Sequence, residues 1–156
     1  MAATSDPAIL IFVDGSSRGN PGPAGVGVAV FRSGEKEACA EISKYIGITT
    51  NNVAEYEAVI HALKWMIESG TQSACVKLDS ELVYRQLTGK YRIKRPHIKL
   101  LMKRLSQLRS QVDDVTFAII PREENKSANR LAQRASKRPA PKQQRFEQPP
   151  LAQGGK

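Results

Sequence analysis

Cysteine and histidine are scarce in this chain of 156 residues, with two of each. Cys39 and Cys75 form neither a metal-ligand spacing nor a disulfide framework, which excludes zinc modules and cystine-built scaffolds. Long apolar runs are missing too. None approaches the roughly 18–20 residues that a helix needs to cross a bilayer, so no membrane partner is expected. The opening residues, Met1-Ala-Ala-Thr-Ser-Asp-Pro, lack the charged and apolar regions of a secretory signal. A reduced, cytoplasmic protein is the expectation. Acids are also in short supply, 15 against 24 lysines and arginines, giving a net charge of +9 and a pI near 9.8.

A basic excess of this size serves either as a solubility surface or as a platform for a polyanion. Clustering favours the second. Lys90, Arg92, Lys94 and Arg95 fall together with Tyr91 and His97 among them, and Lys99, Lys103, Arg104 and Arg109 follow on the next helical stretch.

The length suits one domain with a single core. An unbroken apolar run, about 8–13, reads as a strand buried on both faces and ends at Asp14. A Gly/Pro-rich turn, Gly15 to Gly25, leads to a second strand, about 25–32, with Val26, Val28 and Val30 on one face. Ser33-Gly34-Glu35 reads as a hairpin connection into a third strand, about 36–46. A helix is expected over 52–69, capped by Thr49-Thr-Asn-Asn52 and closed by Gly70. Tyr56, Ile60, Leu63 and Ile67 make its apolar stripe, and Glu55 sits at the edge of the packed face in the first turn. A strand at 74–78 ends at Asp79. Helices at about 80–88 and 96–110, a strand at 115–120 and a helix at 124–136 complete the domain, the last burying Ala128, Leu131, Ala132 and Ala135. From Lys137 to Lys156 there are four prolines and five basic residues against one acid, and Phe146 and Leu151 are the only apolar groups besides alanine. The division is therefore a domain at 1–136 and a basic Pro/Gln-rich tail at 137–156 too polar to fold alone.

Strand, helix, strand forms a crossover joining parallel neighbours when both strands belong to one sheet. The ends of the strands leading to Asp14 and Asp79 then lie side by side, where open α/β sheets bind ligands. Asp14, Glu55 and Asp79 converge, and hard cations such as Mg²⁺ and Mn²⁺ are held by such oxygen donors. The Gly15–Gly25 turn is neither a Walker A nor a dinucleotide fingerprint, because a strand follows it. It reads as a loop shaped to approach a nucleic-acid groove, or as a plain hairpin turn.

Four segments together carry a resemblance: Asp14-Gly-Ser-x-x-Gly-Asn-Pro-Gly-Pro-Ala-Gly25, Thr50-Asn-Asn-x-Ala-Glu55, Leu78-Asp-Ser80 and Pro121-Arg-Glu-Glu-Asn-Lys-Ser-Ala-Asn-Arg-Leu-Ala132. In this order and spacing, over about 8–136, the chain resembles type 1 ribonuclease H. The resemblance implies an α/β ribonuclease H-like fold, a five-stranded mixed sheet of order 3-2-1-4-5 flanked by helices. It implies endonucleolytic hydrolysis of the RNA strand of RNA/DNA hybrids by two Mg²⁺ or Mn²⁺ ions, leaving 5′-phosphate and 3′-hydroxyl ends. Asp14 would bridge both ions, with Glu55 and Asp79 completing the core. Gly19, Asn20, Asn51, Asn52 and Gln86 would meet the minor groove of the hybrid, and Thr50 a DNA phosphate. The implied strand order separates Cys39 on the third strand from Cys75 on the fourth, so no intramolecular disulfide is expected. A monomer is expected.

Three departures qualify the resemblance. The family's fourth acid is replaced by Asn129, which offers a carbonyl oxygen to a cation but no charge; Glu123 and Glu124 are candidates to compensate. The loop before the last helix carries no histidine, a loss found in some members of the family. The segment 89–96 is a basic stub in place of the helical basic protrusion. A catalytically silent module binding hybrids or double-stranded RNA, and a broader activity on double-stranded RNA, stand as rival readings.

Overall fold

The computed structural model describes residues 8–137. Five strands, β1 (Ile9–Ser17), β2 (Gly22–Arg32), β3 (Ala40–Thr49), β4 (Ser73–Leu78) and β5 (Asp114–Ile119), form one mixed sheet in the order β3-β2-β1-β4-β5. Four helices accompany it: α1 (Asn51–Ser69), α2 (Glu81–Leu87), α3 (Pro96–Arg109) and α4 (Lys126–Ser136). β1–β2 and β2–β3 are antiparallel, whereas β1–β4 and β4–β5 are parallel. The fold class and strand order are those implied by the family resemblance. The tail at 137–156 lies outside the described residues from 138 onward.

Periodicity explains the main packing. On one face of the sheet Ile11, Val13, Val26, Val28 and Val30 are buried against Tyr56, Val59, Ile60, Leu63 and Met66 of α1. Thr50 caps α1 by accepting from the Val53 amide, and Gly70 ends it in the left-handed region at φ 77°. On the other face α4 lies directly on β2, and Ala128, Leu131, Ala132 and Ala135 are buried as their spacing predicts. The approach requires the glycines of β2. A Cβ on Gly25 would sit 2.5 Å from that of Ala135, and one on Gly27 would sit 2.1 Å from the Ala128 carbonyl oxygen.

Several boundaries differ from the sequence expectation. β1 does not stop at Asp14 but continues to Ser17, because β2 stays paired with it from Asp14↔Gly27 to Ser17↔Ala24. Its pairing with β4 covers only Leu10↔Cys75 to Phe12↔Lys77. Asp14 thus lies within a strand, just past the point where the parallel neighbour ends. β2 begins earlier, at Gly22, and β3 runs later, over Ala40–Thr49 rather than 36–46. A register shift at Ala24/Gly25 and a left-handed Gly47 (φ 95°) keep β3 paired to its end. Cys39 consequently precedes β3, exposed, and both cysteines are free. Before α4 the chain makes a separate 3-10 turn, Arg122–Glu124, so that helix starts at Lys126.

Candidate active site

Each of the three predicted acids arrives from a different element. Asp14 projects from β1, Glu55 opens the second turn of α1, which starts at Asn51, and Asp79 follows the last residue of β4. One carboxylate oxygen from each lies within 4.8 Å of the others. The approach of α1 to β1 is set by Gly15, where a Cβ would fall 2.2 Å from the Ala54 carbonyl carbon. With only hydrogen there, the Gly15 amide donates to Glu55 Oε1 at 3.3 Å and draws that carboxylate beside Asp14.

Asn129 belongs to the cluster. Its Nδ2 donates to Asp14 Oδ2 at 2.7 Å, so the amide turns its nitrogen, rather than the carbonyl oxygen expected of a ligand, toward the acids. A half-turn of the amide would present the oxygen. Glu123 and Glu124 stand elsewhere, lining a cavity of about 360 Å³ with Leu10, Phe12 and Phe31. The compensation considered for them is therefore not built. His61 is engaged within α1, its Nδ1 2.8 Å from the Glu57 carbonyl oxygen.

Two residues of the site escape sequence reasoning. Asn125 is fully buried and donates from Nδ2 to the Val13 carbonyl at 2.9 Å and to Asp79 Oδ2 at 2.7 Å. It ties β1 to the acid after β4. Arg122 places its guanidinium 3.7 Å from Asp79 Oδ1. An Asn before a helix reads as a cap and an Arg in a charged loop as solvated surface, so neither carries a local signal.

Electrostatics mark the cluster as short of positive charge. Asp14 is 1% exposed, and its Oδ1 has no hydrogen-bond partner among the described residues. Burial raises its pKa from 3.8 to about 6, the Asn129 hydrogen bond opposing and the Asp79 charge adding. Burial, then the charges of Asp14 and Asp79, push Glu55 well above the ordinary carboxylate value. Both groups bind a proton more tightly folded than unfolded. Their contribution to stability is present below the unfolded value near 4 and is lost as pH rises through the raised folded values. In chelator, the parent is therefore expected to lose stability between pH 4 and 6 relative to Asp14→Asn, by on the order of 3 kcal/mol from Asp14 alone. Paired thermal melts across this range check it. A pH-independent difference between the two proteins would refute the assignment.

The expected substrate contacts separate into two groups. Asn20, beside the left-handed Gly19, accepts through Oδ1 from the Asn51 amide at 3.0 Å, and Asn51 Oδ1 accepts from the Ser17 amide at 2.9 Å. The β1–β2 turn is thereby pinned to the N-terminus of α1, next to the cap residue Thr50. Asn52 and Gln86 line a separate pocket of about 190 Å³ with Arg92, Ile93, Lys94 and Arg95. Gln86 is held there by the Tyr56 hydroxyl at 2.5 Å. The basic stub thus joins two of the expected polar contacts in one concavity.

A mixed sheet of order 3-2-1-4-5, with carboxylates gathered where β1 outruns β4, defines a ribonuclease H-like α/β protein. Known proteins place it more narrowly. The family model described as "Reverse transcriptase-like" matches residues 12–135. Over 124 residues the chain is 40% identical to Ribonuclease HI of Halobacterium salinarum, covering 80% of this chain and 62% of that one. It is likewise 40% identical over 124 residues to a bifunctional protein of Mycobacterium tuberculosis, covering 80% of this chain and 34% of that one. The chain thus spans about a third of the mycobacterial relative and three-fifths of the halobacterial one. Among solved structures, the N-terminal RNase H domain of that mycobacterial protein superimposes with TM-score 0.77 at 39% identity, covering 82% of this chain and 98% of that one. LC11-RNase H1 in complex with an RNA/DNA hybrid gives TM-score 0.78 at 40% identity, covering 83% and 96%. The chain belongs to the type 1 ribonuclease H family.

Proposed function

We propose that this protein is a metal-dependent endoribonuclease that hydrolyses the RNA strand of RNA/DNA hybrids, leaving 5′-phosphate and 3′-hydroxyl ends. The observation that carries the reading is the convergence of Asp14, Glu55 and Asp79 within 4.8 Å. Bringing carboxylates so close without cations costs about 4 kcal/mol per pair at 4 Å and an effective dielectric of 20. The donor set fits hard divalent ions. It is all oxygen, Asp14 Oδ1 is buried without a partner among the described residues, and the acids are held from separate rigid elements. Asp14, Glu55 and Asp79 would hold Mg²⁺ or Mn²⁺, with Asn129 adding a carbonyl oxygen after its amide turns. Two bound ions supply an activated water and stabilisation of the leaving oxygen at a phosphodiester.

The protein's own groups do the rest. Asn125 keeps Asp79 oriented toward Asp14, and the Gly15 amide keeps Glu55 in place. Gly19, Asn20, Asn51, Asn52 and Gln86 would read the minor groove, where 2′-hydroxyls distinguish the RNA strand. Arg92, Lys94 and Arg95 supply phosphate attraction that weakens with salt. Hybrid binding by LC11-RNase H1, at 40% identity, supports the choice of substrate.

A labelled hybrid incubated with Mg²⁺ or Mn²⁺ should lose its RNA strand while the DNA strand stays intact. Binding without cleavage under both metals would transfer the reading to its rival, a silent hybrid- or double-stranded-RNA-binding module, for which the uncharged Asn129 is the argument. Labelled double-stranded RNA in the same assay tests the broader activity. Asn129→Asp is expected to lower the Mg²⁺ concentration for half-maximal rate several-fold, since it restores a charge beside Asp14. An unchanged metal optimum and rate would remove Asn129 from the site.

A further inference from the structure

We propose that the Tyr56 hydroxyl is a positioning group for nucleic-acid binding, fixing the Gln86 amide so that its donor end faces the bound strand. The inference rests on the hybrid-binding part of the reading above and not on cleavage.

Tyr56 follows Glu55 on α1, and among the described residues it is the bulkiest of the fully buried side chains. Its ring belongs to the main apolar core. Phenylalanine would fill that space as well, without a hydroxyl that costs free energy in apolar surroundings unless it is bonded. Packing therefore accounts for the ring but not for the oxygen. The hydroxyl reaches the edge of the core and donates to Gln86 Oε1 at 2.5 Å. Burial pushes the phenol up to about 12, so it keeps its proton and remains a donor at neutral pH.

Gln86 stands on half-buried ground near the end of α2, where the chain folds back on itself. The Lys90 and Tyr91 amides both donate to the Arg85 carbonyl, at 2.7 and 3.1 Å. The residues after that turn, Arg92, Lys94 and Arg95, line the same concavity as Gln86. A carboxamide is ambivalent, with one end accepting and the other donating. Because Tyr56 occupies its oxygen, Gln86 keeps Nε2 for the concavity, where the guanidinium and ammonium groups also carry donors and no acceptors. Such a lining suits phosphate and base-edge oxygens. Without the hydroxyl the amide can turn over, and its oxygen then opposes the same oxygens. Glu55 and Tyr56 serve different partners from adjacent positions on α1, so loss of the hydroxyl alone should reach Gln86 and leave the acids in place.

A double-mutant cycle over the parent, Tyr56→Phe, Gln86→Ala and the double variant tests this. Fluorescence anisotropy of a labelled hybrid in chelator gives Kd, and cleavage at saturating Mn²⁺ gives KM and kcat. Tyr56→Phe should weaken hybrid binding about 3- to 10-fold, the scale of one hydrogen bond. Its KM should rise in step while kcat stays within about twofold, since an interaction lost equally from ground and transition states leaves kcat alone. Gln86→Ala should weaken binding at least as much, and adding Tyr56→Phe to it should cost nothing further. Parental affinity in Tyr56→Phe overturns the proposal. So does an equal loss with and without the Gln86 side chain, or a kcat that falls with the affinity, because the hydroxyl would then act through packing of α1. A parent that binds hybrid but does not cut it fails the ribonuclease reading alone, since the binding cycle still decides the role of Tyr56.

Discussion

Asp14→Asn is expected to abolish hybrid cleavage, by at least about 1,000-fold, while making the metal-free protein more stable at neutral pH. The two effects share one cause. Asp14 is 1% exposed, and its Oδ1 lacks any partner among the described residues. Burial holds its pKa near 6, so at pH 7.5 the folded protein carries a charge that its surroundings disfavour. A neutral amide removes that cost, which is on the order of 3 kcal/mol, less whatever the new amide loses by facing the Asn129 nitrogen. It also removes the charge that a cation at the centre of the cluster would need. A gel assay and thermal melts in chelator at pH 7.5 measure both. Cleavage within tenfold of the parent would take Asp14 out of the chemistry. A stability difference from the parent that does not grow between pH 4 and 7.5 would show that burial does not disfavour the carboxylate.

The second large effect is expected far from any charge. Gly27→Ala should destabilise the fold by about 3 kcal/mol, a large share of the stability of an ordinary domain, and should cost most of the activity. A Cβ there would lie 2.1 Å from the Ala128 carbonyl oxygen and 2.6 Å from the Ala132 amide nitrogen. These are backbone atoms of α4, which cannot rotate away as a side chain can. The helix must shift as a body, carrying Asn129 from Asp14 and straining Asn125 against Val13 and Asp79. Gly34→Ala is the control. Gly34 has a left-handed φ of 86° but, among the described residues, no atom within 4 Å of an added Cβ, so only backbone strain of about 1 kcal/mol is expected and cleavage should persist. Urea unfolding of both variants decides the matter. Equal midpoints would mean that α4 does not need the closeness that Gly27 allows.

Much of this architecture is legible along the chain because it follows from short-range periodicity. The spacing of Ala128, Leu131, Ala132 and Ala135 identifies the buried side of α4, and Thr50 and Gly70 mark the limits of α1. The three acids can be picked out because Asp14 ends an apolar run, Glu55 lies near the start of α1 and Asp79 follows β4. Strand limits are less legible, since they depend on the partner. β1 passes Asp14 because β2 remains beside it, and β3 runs to Thr49 because Gly47 absorbs a register shift. The glycines that read as turn formers include Gly15 and Gly25, whose missing side chains admit α1 and α4.

Motif spacing and apolar period, which are properties of neighbours along the chain, already point to the family, the order of elements and the candidate residues Asp14, Glu55, Asp79 and Asn129. The folded arrangement is what turns the Asn129 nitrogen toward Asp14, sets Asn125 on one oxygen of Asp79 and Arg122 near the other, and makes Asp14 and Glu55 hold their protons unusually tightly. Those depend on burial and on charges brought close from distant parts of the chain, and Coulomb and desolvation energies follow distance in space rather than separation in sequence.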